Sequence, residues 1–200
     1  MTDPAEAIIA LYRRHARTWA AARGERLPER EWIDRFAALL PARGRVMDLG
    51  CGPGVPVARH LSGLGHAVTG IDSAPEMIAQ FRASLPGAEA VVADMRTLDL
   101  GRTFDGILAW DSFFHLAHAP QRAMFPIFRA HAAPGAPLMF TSGPEYGEAI
   151  GLLEGEPLYH ASLDPAAYRA LLDANGFQVV DHMAEEPAAG GRTIWLARRS

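Results

Sequence analysis

Apolar residues recur at helical spacing from the start of the chain. Ile8, Leu11, Tyr12, His15 and Trp19 share one helical face. Asp3-Pro4-Ala5-Glu6 ahead of them combines an N-cap, a proline at the first helical position and an acid in the first turn. Gly24 and Pro28 then punctuate. Trp32, Ile33, Phe36, Leu39 and Leu40 make a second amphipathic stripe that stops at Pro41. Both helices precede the first strand, so neither belongs to a minimal sheet core. Residues 1–41 read as an N-terminal helical cap, free to act as a lid, and residues 42–200 as the core of one domain.

From Arg45 the pattern changes. Val46-Met47-Asp48-Leu49 reads as a short strand ending in Gly50-Cys51-Gly52-Pro53-Gly54. A helical stretch follows (Val57, Ala58, Leu61, Leu64), then a strand over residues 67–72. Ser73-Ala74-Pro75-Glu76 reads as a capping box opening a helix through Met77, Ile78, Phe81 and Leu85. Further strands are expected at 90–93, 104–110 and 137–141, with a helix over 120–133 that Pro126 should kink or break. The Gly- and Pro-rich segment 142–161 reads as a loop insertion. Asp164-Pro165 starts a helix ending at Asn175-Gly176, and strands at 177–184 and 192–197 close the chain. Alternating buried strands and crossover helices mark an α/β, doubly wound sheet, parallel through its first strands. The last two strands lie close enough for a hairpin, so one of them runs antiparallel.

Composition narrows the function. The chain of 200 residues carries 19 Lys and Arg against 23 Asp and Glu, for a formal charge of −4, which gives no field to hold a polyanion. Nucleic acid is therefore not an expected partner. The one cysteine, Cys51, excludes an internal disulfide and a cysteine-based zinc site. No apolar run approaches the ~18–20 residues that span a bilayer, and the acidic first residues do not read as a signal peptide. The cytoplasm is the expected location. Nothing in the sequence fixes an oligomeric state.

The informative segment is the glycine turn after the first strand. A dinucleotide loop wants Gly-x-Gly-x-x-Gly or Ala, but counting from Gly50 that third position is Val55. No Gly-Lys-Ser or Gly-Lys-Thr of a P-loop occurs. Asp48, at the strand end, would repel a pyrophosphate and suit a cationic group such as an ammonium. Asp72 ends the second strand, placed to accept from ribose hydroxyls. Asp94 follows the third, where a carboxylate can accept from an adenine amine, with Met95 flanking the ring. Glycines in the turn let a ligand approach without meeting a Cβ. The acids ask for a ligand with a ribose, a base and a positive group, and no phosphate.

On these residues the sequence resembles a class I S-adenosylmethionine-dependent methyltransferase of the small-molecule type. Asp48-Leu49-Gly50-Cys51-Gly52-Pro53-Gly54 is similar to that family's first motif, Asp72-Ser73 to its ribose-binding acid and Asp94-Met95 to its adenine-side pair. Phe104-Asp105-Gly106-Ile107-Leu108-Ala109-Trp110-Asp111-Ser112 is similar to its fourth strand. The resemblance implies a Rossmann-like seven-stranded sheet, mostly parallel, with one antiparallel strand near the C-terminus. It implies S-adenosylmethionine as methyl donor, S-adenosylhomocysteine as product and a small-molecule acceptor. Asp48, Gly50, Cys51, Gly52, Asp72, Ser73, Asp94, Met95 and Trp110 are the cofactor-binding candidates. After the fourth strand, Asp111-Ser112-Phe113-Phe114 lacks the prolines of base-methylating enzymes. His115 is a candidate general base. Tyr12, Trp19, Glu145, Tyr159 and His160 are candidate acceptor contacts. No metal site is expected, because His115 and His118 lack a third ligand. Two alternatives stay open: a non-catalytic S-adenosylmethionine-binding partner or sensor, which the same cofactor residues would serve, and a nicotinamide-dependent oxidoreductase, which Val55 and Asp48 disfavour.

Overall fold

The computed structural model describes residues 4–200. The N-cap expected at Asp3 lies outside them. Strand β1 (Arg45–Leu49) sits mid-sheet, pairing parallel with β2 (Ala67–Asp72) on one side and β4 (Gly106–Ala109) on the other. Outward from β2 lies β3 (Glu89–Val92), and outward from β4 lies β5 (Pro137–Ser142), both parallel to their neighbours. Then β9 (Arg192–Arg199) inserts antiparallel between β5 and β8 (Phe177–Glu186). The resulting sheet has seven strands in the order β3-β2-β1-β4-β5-β9-β8. Its topological switch point falls between β1 and β4, where the chain leaves in opposite directions.

Both faces of the sheet are buried, as the run of apolar strands requires. Met47, Leu49, Ile107, Leu138 and Phe140 face one core with α5 (His118–His131) and α6 (Pro165–Ala174). Val46, Val68, Leu108, Met139 and Leu196 face the other, with α2 (Arg30–Ala37), α3 (Val57–Gly63) and α4 (Pro75–Ser84). Of the two helices ahead of the sheet, α2 is thus core: Trp32, Ile33 and Phe36 are buried. In contrast, α1 (Pro4–Arg23) crosses the carboxyl ends of the strands. It packs through a small separate cluster, in which Tyr12, Ala16 and Trp19 meet Ala74 and Met77.

Three local expectations are corrected. Helix α5 runs unbroken through Pro126, whose missing N–H would have faced the carbonyl of Arg122; both residues are exposed, so water can satisfy that oxygen. Ser73 does not cap α4. The N-cap is Ala74, without a side-chain cap, and the Ala74 N–H goes to Asp72 Oδ1 instead, at 2.8 Å. The segment 142–161 is not a loop but contains most of a β-hairpin of β6 (Gly147–Leu153) and β7 (Glu156–Ser162), a two-stranded sheet of its own. Its turn residues Glu154 and Gly155 both have positive φ, at 53° and 80°, as a two-residue hairpin turn that follows strand twist demands.

Candidate active site

A cavity opens at the switch point, floored by the carboxyl ends of β1, β2 and β4 and roofed by α1. The open end of such a sheet is where α/β folds hold ligands. Asp48, Gly50, Cys51, Gly52, Asp72 and Ser73 line it, with Asp94 and Met95 at one end and Trp110 and His115 at the other. Tyr12 and Trp19 line it from above. The sequence candidates for the cofactor are therefore brought together.

Gly50 and Gly54 make the sharp turn expected of them, but protein fills the room they leave. A Cβ at Gly50 would come within 2.2 Å of the Ser112 Cβ, and one at Gly54 within 2.7 Å of Phe81. Both have positive φ, so they are required by the turn and by protein packing rather than by ligand approach. Ser112 in turn donates to the Leu49 carbonyl at 2.6 Å, locking the segment after β4 against the glycine turn.

The carboxylates differ sharply. Asp48 is only 4% exposed, and among the described residues its carboxyl makes no hydrogen bond or ion pair. Burial, with the Asp72 charge adding, pushes its carboxyl up to about 7. Asp72 is also raised by burial, but its oxygens accept the Ala74 N–H at 2.8 Å and the Gly52 N–H at 3.0 Å, which oppose the shift. With a third contact from the Ser73 N–H, the carboxylate keeps one of its roughly four acceptor sites for a further donor. Burial would also raise Asp94, yet Arg96 outweighs it and holds the carboxyl below its ordinary value. Arg96 reaches Asp94 through its backbone N–H, Nε and Nη2, all within 3.0 Å. That occupies the lone pairs an adenine amine was expected to use. The Cys51 thiol is buried and raised well above its ordinary value, so it is no nucleophile.

At the other end, His115 is buried. Its Nδ1 lies 2.8 Å from the Tyr159 carbonyl and its Nε2 2.8 Å from the Tyr12 hydroxyl. Burial brings the imidazole down to about 4, and the charge of His160 pushes the same way. A second chamber adjoins here, sharing Tyr12, Trp19, Asp111 and His115 with the first and adding Phe114 and His160. Tyr159 takes part through its carbonyl. Glu145 is exposed and lines neither cavity, which removes it from the acceptor contacts.

Sequence reasoning missed the pair Asp111–Arg192. Arg192 Nε and Nη2 each reach Asp111 at 2.6 Å, across eighty-one positions of sequence. No local signal links them. Asp111 also has φ of 51°, a conformation an aspartate tolerates better than most residues, and its N–H donates to Thr141 Oγ1. Arg96 was within reach of a sequence reading, since a cation two positions after an acid at a strand end can fold back onto it.

The sheet order, the antiparallel insertion and a glycine turn flanked by acids define the class I methyltransferase fold. An amino pentose methyltransferase from Micromonospora echinaspora, solved with S-adenosylmethionine and involved in calicheamicin biosynthesis, superposes with a TM-score of 0.74 at 24% identity, covering 92% of this chain and 97% of that one. The 1,6-didemethyltoxoflavin-N1-methyltransferase of Burkholderia thailandensis, solved with 1,6-didemethyltoxoflavin and S-adenosylhomocysteine, gives 0.75 at 19% identity, covering 100% and 92%. A family profile described as a methyltransferase domain matches residues 12–182, and the chain belongs to that family. Trans-aconitate 2-methyltransferase of Escherichia coli is 45% identical over 65 residues, 32% of this chain. That alignment spans about a quarter (26%) of the curated relative.

Proposed function

We propose that this protein transfers a methyl group from S-adenosylmethionine to a small-molecule acceptor. The observation that carries the proposal is Asp48: a buried carboxylate without a partner among the described residues, lining a cavity at the strand ends. An anion so placed is costly unless a cation joins it, and the amino group of the methyl donor is such a cation. Asp72, with an acceptor site left on its carboxylate, holds the ribose. Met95 packs at the adenine end, without a hydrogen bond from Asp94. The bound sulfonium supplies an activated methyl group, so the protein's own task is to align the acceptor and exclude water. Alignment alone is worth on the order of 7–11 kcal/mol. Helix α1, which roofs the cavity, serves as the lid.

Calorimetry with S-adenosylhomocysteine tests this. Wild type is expected to bind, and Asp72→Ala to bind roughly 10- to 100-fold more weakly, the worth of hydrogen bonds to a charged group. Wild-type protein that gives no heat of binding sinks the proposal. Labelled methyl transfer to a metabolite panel then reports turnover.

A further inference from the structure

At the acceptor end of the cavity, one group has a fixed hydrogen-bonding character. A carbonyl oxygen can only accept, so the His115 Nδ1 facing the Tyr159 oxygen carries the hydrogen of the neutral ring. His115 Nε2 is then a bare lone pair, and the Tyr12 hydroxyl 2.8 Å away donates to it. A phenol has one hydrogen. With that hydrogen committed to His115, Tyr12 Oη offers only lone pairs to the two chambers it lines.

The surroundings sharpen the selection. Asp72 and Asp111 lie near enough to add to the burial that pushes the Tyr12 phenol up, so the field at Oη is negative. The two arginines of the second chamber already have their charge matched, Arg192 by Asp111 and Arg23 by the buried Glu29. The remaining wall is largely flat: Trp19, Phe114 and His160.

We propose that the methyl acceptor is a neutral amine nitrogen on a flat apolar or aromatic skeleton, oriented by an N–H donated to Tyr12 Oη. This deepens the function proposed above and rests on it. In the transfer the nitrogen lone pair forms the new bond to the methyl carbon, while the electron pair of the broken carbon–sulfur bond stays on sulfur. The product leaves as an N-methylammonium and gives up its proton to water afterwards. No side chain has to hold a proton, which suits a site whose imidazole is brought down to about 4 by burial and whose phenol is pushed up. A hydroxyl acceptor would need its proton removed during transfer. A carboxylate has no hydrogen to give to Tyr12 Oη.

Two measurements test the inference. Nitrogen-15 NMR of the ligand-free protein is expected to show His115 as the neutral Nδ1–H tautomer at neutral pH, with an Nε2 resonance that moves in Tyr12→Phe. An Nε2–H tautomer, or a cationic ring, overturns the proposal. Protein saturated with S-adenosylhomocysteine is then titrated with benzylamine, benzyl alcohol and benzoate at mildly alkaline pH. Benzylamine is expected to bind at least about tenfold tighter than benzoate and to lose about tenfold in Tyr12→Phe. With labelled methyl donor, benzylamine is methylated and benzyl alcohol is not. Benzoate binding as tightly, faster methyl ether formation, or indifference of benzylamine to Tyr12→Phe overturns the proposal. So does rejection of all three probes by protein that still binds S-adenosylhomocysteine. Failure to bind S-adenosylhomocysteine itself refutes instead the function on which the proposal rests.

Discussion

At the scale of the residue, Asp48 makes the sharpest claim. Its carboxyl rises from 3.8 to about 7. Between those values the folded chain keeps a proton that the unfolded chain has released. Its stabilising contribution is therefore present below about pH 4 and lost as the pH rises through about 7. A shift of about three units corresponds to roughly 4 kcal/mol. Asp48→Asn should therefore melt higher than wild type above about pH 7, with the gap closing as the pH falls toward the ordinary carboxylate range. Ligand binding should move the other way. The ionised carboxylate is the form that holds an ammonium, so S-adenosylhomocysteine affinity should fall about tenfold per pH unit below about 7 in wild type and stay flat, and weak, in the variant. Parallel pH dependences in the two proteins would remove Asp48 from the binding site.

At the scale of the element, the hairpin β6–β7 is clamped at one end by a buried amide. Gln121 of α5 is fully buried, donating to the Leu116 carbonyl at 2.7 Å and to the Ala161 carbonyl at 2.9 Å. Its Oε1 accepts from the Tyr168 hydroxyl at 2.6 Å. It thus ties the turn carrying His115 to β7. Gln121→Leu leaves those partners unsatisfied and should cost about 2–4 kcal/mol, read as a lower urea midpoint. An unchanged midpoint would show that the clamp carries no energy. The same hairpin is where the sequence was least legible. Strands β1 and β2 announce themselves as apolar runs against a glycine turn, and the acids at their ends name the ligand's chemistry. In β6, Gly147 and Gly151 and the exposed Ile150 and Leu152 blur the alternation of period two, and Pro157 sits within β7. Glu-Gly at the turn is a weaker signal than Asn-Gly. Side chains that meet only in the folded chain, such as Asp111 with Arg192, leave no local trace, and neither does the Arg96 contact that consumes Asp94.

At the scale of the molecule, α1 is held differently from everything beneath it. Its apolar cluster is separate from the two large cores. Much of the rest is ionic: Arg13 to Glu76, Arg14 to Glu156, which His15 also meets through a hydrogen bond, and Arg96 back to Glu6. Exposed pairs of this kind contribute little singly and are screened by salt. Raising the salt to molar levels should therefore speed amide exchange in α1 and release of S-adenosylhomocysteine several-fold, leaving the sheet protected. A release rate indifferent to salt would mean that the roof does not gate the cavity. The hairpin bears on the opposite wall in another way. It fixes the hydrogen of the His115 imidazole through a main-chain oxygen, that of Tyr159. Exposed side chains along that ribbon, such as Ile150 and Leu152, can be exchanged while the ring beneath keeps its hydrogen on the same nitrogen.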